Sequence, residues 1–280
     1  MSPADHAQLA LLLEVAATPK PGNVDRERDY PNLRFEHFLA GAVGSAAGLR
    51  MANERGPTAP SVGEAFERAV AGMSQQDGGN TQFGCLLLLV PLVRGAARGD
   101  LSPAGVTEVV EDTTVEDAAD FYRAFEHVDV AVDDPPADAP DLDVRRGSDA
   151  IPALDERGLT LADVMALSAD GDANAREWVG GFERTFDAAA AVVDDDGPIL
   201  DRVARAFLKL LAEEPDSLVA VEHGGEVAEE VRRKAEAARG DPESVAALAD
   251  EFVERGVNPG TTADLTAAAI FVALERGVPV

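Results

Sequence analysis

Lysine is nearly absent from this chain. Among 280 residues it stands only at positions 20, 209 and 234, and the other basic residues are arginines. Together the 24 basic side chains face 52 aspartates and glutamates, a formal charge of −28. Such a balance leaves no basic face, so neither nucleic acid nor an anionic membrane surface is an expected partner. Cysteine occurs once, at position 85, which excludes an intrachain disulfide and any multi-cysteine metal centre. Four histidines, His6, His37, His127 and His223, are too scattered for a zinc-ligand pattern. No apolar run approaches the roughly 18 residues of a membrane span. The N-terminus also lacks the basic start and small-residue cleavage site of a signal peptide. A cytoplasmic protein is expected.

An acid-rich, lysine-poor surface suits multimolar salt. At about 1 M ionic strength the Debye length is roughly 3 Å, so repulsion among surface carboxylates is largely screened. A halophilic source is the expectation, and most carboxylates then read as solvating surface. Hydrophobic residues make up 46% of the chain, enough for a real core.

Helical periodicity organises that core. His6–Thr18 places Leu9, Leu12, Leu13 and Ala16 on one face. Phe35–Glu54 interleaves Gly41, Gly44 and Gly48 with small residues, as close helix contact requires. Ser61–Ser74 opens with a capping-box pattern, Ser61 followed by Glu64. Thr81–Arg98 is apolar nearly all round and reads as a buried central helix that encloses Cys85 as a small hydrophobe. Helices over Ser102–Asp112 and Val115–Glu126 follow, and others start at Leu161, Ala173, Ile199, Glu226, Pro242 and Thr262. No alternating strand pattern is present. The expected fold is therefore all-α, a single globular multi-helix domain over 1–280. Residues 129–150 form an exposed acidic loop in this reading; Asp129–Asp143 alone holds six Asp with Pro135, Pro136 and Pro140. Asp194-Asp195-Asp196 before Gly197-Pro198 reads as a helix–helix junction.

Three polar, glycine-bearing stretches interrupt the Ala/Leu pattern. In the first, Glu14 to Arg26, two prolines bracket Lys20 and Gly22 permits a sharp turn, so Lys20, Asp25 and Arg26 could together grip a phosphate and a metal. The second, Gln76 to Gly84, leads through Asp77, Gly78 and Gly79 to Asn80 and Thr81 at the start of the central helix, whose N–H groups suit a phosphate. Its spacing is not that of a P-loop. The third, Arg255 to Leu265, presents Asn258, Thr261 and Thr262, with Asp264 in the first turn of a helix. A weaker constellation, Asp170, Asp172 and Asn174, sets hard oxygens at alternate positions without the glycine and glutamate of an EF-hand, and is compatible with magnesium shared with a phosphate ligand.

Residues 14–26, 78–84 (Gly-Gly-Asn-Thr-Gln-Phe-Gly) and 258–265 (Asn-Pro-Gly-Thr-Thr-Ala-Asp-Leu) resemble, in this order, the motifs of the triphosphoribosyl-dephospho-CoA synthase (CitG-type) family. Its archaeal branch is the better fit, through Phe35-Glu-His-Phe-Leu39, Leu86–Leu92 and the run from Asp172 to Trp178. The resemblance implies an all-helical fold and a transferase reaction. ATP would lose adenine and pass its triphosphoribosyl group to the 2′-hydroxyl of 3′-dephospho-CoA, with Mg²⁺ on the triphosphate. By motif position, Lys20, Gly22, Arg26, Gly79, Asn80, Thr81, Asn258 and Thr261 would hold nucleotide, and Asp25, Asp77 and Asp264 would serve catalysis. Asp172 and Glu14 would hold metal. Where the bacterial enzymes show His-Lys after Asn-Thr, this chain has Gln82-Phe83, and Asp29-Tyr30-Pro31-Asn32 replaces a second stretch. Those departures leave open a related transferase with another acceptor, or a nucleotide-binding module without turnover.

Overall fold

The computed structural model describes every residue except 136 and 137, and among the described residues it contains sixteen α-helices and no strand. In chain order these are α1 (Pro3–Ala16), α2 (Phe35–Gly44), α3 (Ala46–Ala52), α4 (Val62–Met73), α5 (Phe83–Arg98), α6 (Pro103–Glu111), α7 (Val115–Ala124) and α8 (Ile151–Arg157). The second half holds α9 (Leu161–Ser168), α10 (Ala173–Val179), α11 (Glu183–Asp194), α12 (Ile199–Glu213), α13 (Ser217–His223), α14 (Gly225–Ala238), α15 (Pro242–Glu254) and α16 (Gly260–Glu275). The all-α expectation holds, and no helix among the described residues is long and apolar enough to cross a membrane.

Helix α5 is the expected central element. Every residue from Cys85 to Gly95 is buried, and the helix ends where Gly99 takes a left-handed φ of 87° that L side chains disfavour. Helix α16, buried along Leu265–Leu274, lies against α5, α1, α11 and α12. The small residues foreseen in the second helix let backbones touch: Gly44 meets Gly72 of α4, and a Cβ at Gly48 would overlap Ala65 and Ala69. A separate apolar cluster, built around Phe207, Leu211, Val219, Val231 and Phe252, joins α12 to α15.

Three breaks differ from the sequence reading. Phe35–Glu54 is two helices, because the chain turns at buried Ser45, whose hydroxyl donates back to the Ala42 carbonyl (3.0 Å). The run from Ala173 stops at Gly180, and Gly181 (φ 66°) and Phe182 (φ 61°) redirect the chain before α11. Helices α8 and α13, seven residues each, are too short to give a periodic signal. The junction at Asp194–Pro198 is where it was expected, between α11 and α12.

Segment 129–150 is more structured than an exposed acidic loop. It carries 3₁₀ turns at Pro140–Leu142 and Val144–Ala150, and buries Leu142, Gly147 and Ala150. Apolar residues within the acidic run account for this: Tyr122 donates its hydroxyl to the Leu142 carbonyl (2.7 Å), docking the segment on α7. Pro136, part of the expected proline-rich stretch, lies outside the described residues.

Candidate active site

A cavity of about 780 Å³ opens between the main core and the α12–α15 cluster. Its walls come from the start of α5, from α7, α9 and α10, from the 129–135 segment, and from α13 with the start of α16. Six residues singled out from sequence line it: Asn80, Asp172, Asn174, Asn258, Thr261 and Asp264.

Asp264 is the centre of the polar wall. It stands in the second turn of α16, and its carboxylate reaches across to the N-terminal end of α5. Oδ2 accepts from Asn174 Nδ2 (2.8 Å) and Oδ1 accepts from the Cys85 thiol (3.1 Å). A Cβ at Gly84 would overlap Asp264 Oδ2 and lie 2.6 Å from Asn174 Nδ2, so only glycine lets this carboxylate seat against the helix backbone. Burial pushes the Asp264 carboxyl up to about 7, a rise reinforced by the negative charges of Asp216 and Asp172 and opposed by its two hydrogen bonds. Burial and the same carboxylate also hold the Cys85 thiol well above its usual range, so it remains a neutral donor.

The surrounding polar groups are fixed by helix starts. Asp172 caps α10, accepting from Asn174 N (2.8 Å). Burial raises its carboxyl, against the pull of backbone donors. Asn174 is 7% exposed and its Oδ1 has no partner. Asp216 caps α13 and clamps the start of α16, taking both the N–H and the hydroxyl of Thr262 at 2.7 Å. Ser217 then bonds Thr261 between hydroxyls (2.9 Å). Asn80 Oδ1 accepts from Phe83 N (3.1 Å), tying the glycine loop to the first residue of α5.

The Pro-Lys-Pro-Gly loop is brought close, but behind the wall. Lys20 is fully buried, and its ammonium donates to Glu14 and to Asn23 Oδ1 (3.3 Å). Burial raises the Glu14 carboxyl while Lys20 lowers it. Neither side chain lines the cavity, so the expected phosphate contact of Lys20 and metal contact of Glu14 are replaced by a buried ion pair. Gly22, with φ 75°, packs under the third loop: a Cβ there would overlap the Val257 carbonyl and come within 2.8 Å of Pro259. Asn23 donates to Asn258 Oδ1 (2.9 Å), so this loop steadies a residue that does reach the cavity. Asp25 is buried as a loop anchor, accepting from Glu27 N (2.8 Å) and from Lys20 N (3.3 Å). Arg26 is exposed and donates to the Ala16 carbonyl (2.5 Å), and Asp77 and Gly79 are exposed outside the cavity wall. Thr81 turns inward, its hydroxyl buried without a partner beside Gly41 and the equally unpartnered amide of Gln82.

Sequence reasoning missed Asp216, Ser217 and Gly84, and treated the Asp129–Asp143 run as solvated surface. Pro215-Asp216-Ser217 is a helix-start signature that could have been read. The role of Gly84 depends on a partner 180 residues away and had no local signal.

The cavity is acidic. Asp129, Asp133, Asp172, Glu222 and Asp264 line it, while Asp134 and Asp143 at its edge are tied by Arg145 (2.9 and 2.8 Å). No Lys, Arg or His is among the described lining residues. Nor, among the described residues, do three His, Cys, Asp or Glu stand close enough to hold a metal by themselves. The donors present are hard oxygens, which fit magnesium in its usual manner of one or two carboxylates completed by substrate phosphates and water. Of the two expected metal ligands, Asp172 lines the cavity and Glu14 does not.

The family model described as "CitG: ATP:dephospho-CoA triphosphoribosyl transferase" matches residues 1–278. Among solved structures, the chain is similar to one provisionally described as a triphosphoribosyl-dephospho-CoA synthase from Archaeoglobus fulgidus. The two share 28% identity over 85% of this chain and 99% of that one, with a TM-score of 0.69. No curated protein matches the chain.

Proposed function

The chain belongs to the CitG family of ATP:dephospho-CoA triphosphoribosyl transferases, and we propose that the cavity beside Gly84 is where it carries out that reaction. It is a transferase of the triphosphoribosyl-dephospho-CoA synthase type, whose substrates are ATP and 3′-dephospho-CoA. The bond between C1′ of the ATP ribose and adenine breaks, its electron pair going to adenine, which finally carries the proton that the acceptor hydroxyl gives up. A new bond forms from that C1′ to the 2′-oxygen of the acceptor ribose, and the triphosphate leaves intact on the product.

The single observation that carries the site assignment is Asp264. The acceptor hydroxyl must lose a proton as its oxygen bonds to C1′, and a carboxylate with a pKa near 7 is suited to take it at neutral pH. Its anionic form also favours the positive charge that builds at C1′ as adenine departs. Asn174 and Cys85 hold both oxygens of this carboxylate, so its direction is set before substrate arrives. Asn80, Asn258 and Thr261 offer neutral polar contacts to ribose and phosphate oxygens. With no cationic side chain on the described wall, Mg²⁺ carried with the triphosphate would offset its charge, and Asp172, which lines the cavity, would meet that ion. The ion would draw negative charge from the phosphates when bound.

One observation favours a variation on this reading. Phe83, at the place where the resemblance leads one to expect lysine, lines the cavity, and an acceptor with fewer phosphates than dephospho-CoA would suit such a wall. Turnover with ATP and a panel of acceptors, read as free adenine, decides between them. We further read the acidic surface as adaptation to a cytoplasm of high salt in an archaeal halophile. An Asp264→Asn protein that still releases adenine at the wild-type rate would remove Asp264 from the mechanism.

A further inference from the structure

The cavity wall carries two chemically different groups of residues, with Gly84 in the same lining. One is polar, Asn80, Asn174, Asn258, Thr261 and Asp264; the other, its aromatic end, holds the rings of Phe83, Phe121 and Phe125, and Leu142, Val164 and Met165 also line the cavity. The three rings form one edge-to-face group, with centroids 4.8 Å apart for Phe83 and Phe125 and 5.2 Å for Phe121 and Phe125. Phe83 immediately precedes Gly84 in the chain, so the apolar end begins beside the Asp264 carboxylate.

We propose that this aromatic end is a purine subsite, which seats the adenine of the nucleoside whose ribose reacts at Asp264. The proposal rests on the transferase reading above and follows from the connectivity of its substrates. In the acceptor, the reacting 2′-oxygen sits on the carbon next to the one that bears adenine. In the donor, the reacting carbon bears the adenine itself. Either way the base lies within two bonds of the reacting ribose carbon and must occupy the space next to Asp264. The pantetheine arm is joined to the ribose only through two phosphates, so it is not tied to that space as the base is. Phosphates and hydroxyls have no partner among phenyl rings, whereas a flat base gains from their faces and edges. Asn80, whose Oδ1 accepts from Phe83 N, lines the same cavity and brings an amide that can donate to a ring nitrogen.

Equilibrium dialysis in molar KCl with Mg²⁺ tests the subsite without requiring turnover. The probes are ATP against inorganic tripolyphosphate, which lacks the adenosine, and dephospho-CoA against 4′-phosphopantetheine, which lacks the adenosine with one phosphate. Wild-type protein is expected to bind at least one base-bearing probe tenfold or more tightly than its partner. Phe125→Ala, at a half-buried ring, should remove most of that preference. Val130→Trp, which adds bulk to the cavity wall from the 129–135 segment, should do the same if Phe125→Ala fails to fold. Loss for ATP alone assigns the subsite to the donor base, and loss for dephospho-CoA alone to the acceptor base. Equal binding within both pairs, or a preference untouched in the folded variants, overturns the subsite. Base-dependent binding that disappears in the variants, without adenine release from any acceptor, would leave the subsite standing and overturn the transferase reading instead.

Discussion

The carboxylate of Asp264 fills the space that a side chain at residue 84 would occupy. Two helices far apart in sequence are thereby locked in register, with a titratable group at their crossing and a cavity in front of it. Gly84→Ala should force the carboxylate away from Asn174 and Cys85. The expected result is a fall in turnover of about 100-fold, as misplacing a reacting group by an ångström can cost, with helix content unchanged by circular dichroism. Turnover within twofold of wild type would mean that the position of Asp264 does not matter.

The pH dependence follows from the same residue. Because burial raises the Asp264 carboxyl to about 7, the base form accumulates only as pH rises through neutrality. A rate profile for kcat/KM should climb from pH 6 to pH 8 with a midpoint near 7, and Asp264→Asn should abolish the climb along with most of the rate. The sign for stability is opposite. Between the unfolded carboxyl value near 4 and the folded value near 7, the folded protein holds the extra proton, so this group's contribution declines as pH rises through that window. Asp264→Asn should therefore flatten the fall in denaturation midpoint between pH 5 and pH 8.

Lys20 and Glu14 make a contrasting case. Their ion pair is buried behind the cavity, so Glu14→Gln should strand an ammonium and cost about 3–5 kcal/mol, whereas Glu14→Leu with Lys20→Met should recover much of that loss. Urea midpoints measure both. Lost ATP binding with unchanged stability in the Lys20→Met protein would put this lysine at the ligand after all.

Much of this arrangement was legible in the chain itself. Apolar periodicity located α5 and α16 because both are long and buried, and the glycine loops marked the helix starts that face the cavity. Those starts carry Asn80, Asp172, Asn174, Asn258, Thr261 and Asp264, all of which line the cavity. What the sequence hid was depth. Pro-Lys-Pro-Gly has the look of a ligand loop whether its lysine points outward or is swallowed by a glutamate one turn upstream. The reverse error occurred at Asp129–Asp143, where charge suggested solvent while Val130, Val132 and Leu142 bring the segment against the cavity. Seven-residue helices such as α13, which bears Ser217 and Glu222, carry too few repeats for their inner face to be recognised.

The acidic surface gives a further expectation. With a net charge of −28, self-repulsion should weaken as salt shortens the Debye length, so the thermal midpoint should rise steadily from about 0.2 M to about 3 M KCl. A midpoint independent of KCl would remove the halophilic reading.

The most direct test of the central claim is product analysis. Purified protein in high KCl with Mg²⁺, ATP and dephospho-CoA is examined by mass spectrometry for free adenine and the triphosphoribosyl adduct. The account predicts both products together, neither without the acceptor, and neither with Asp264→Asn. Intact ATP and unmodified dephospho-CoA, in protein that demonstrably binds both, would contradict it.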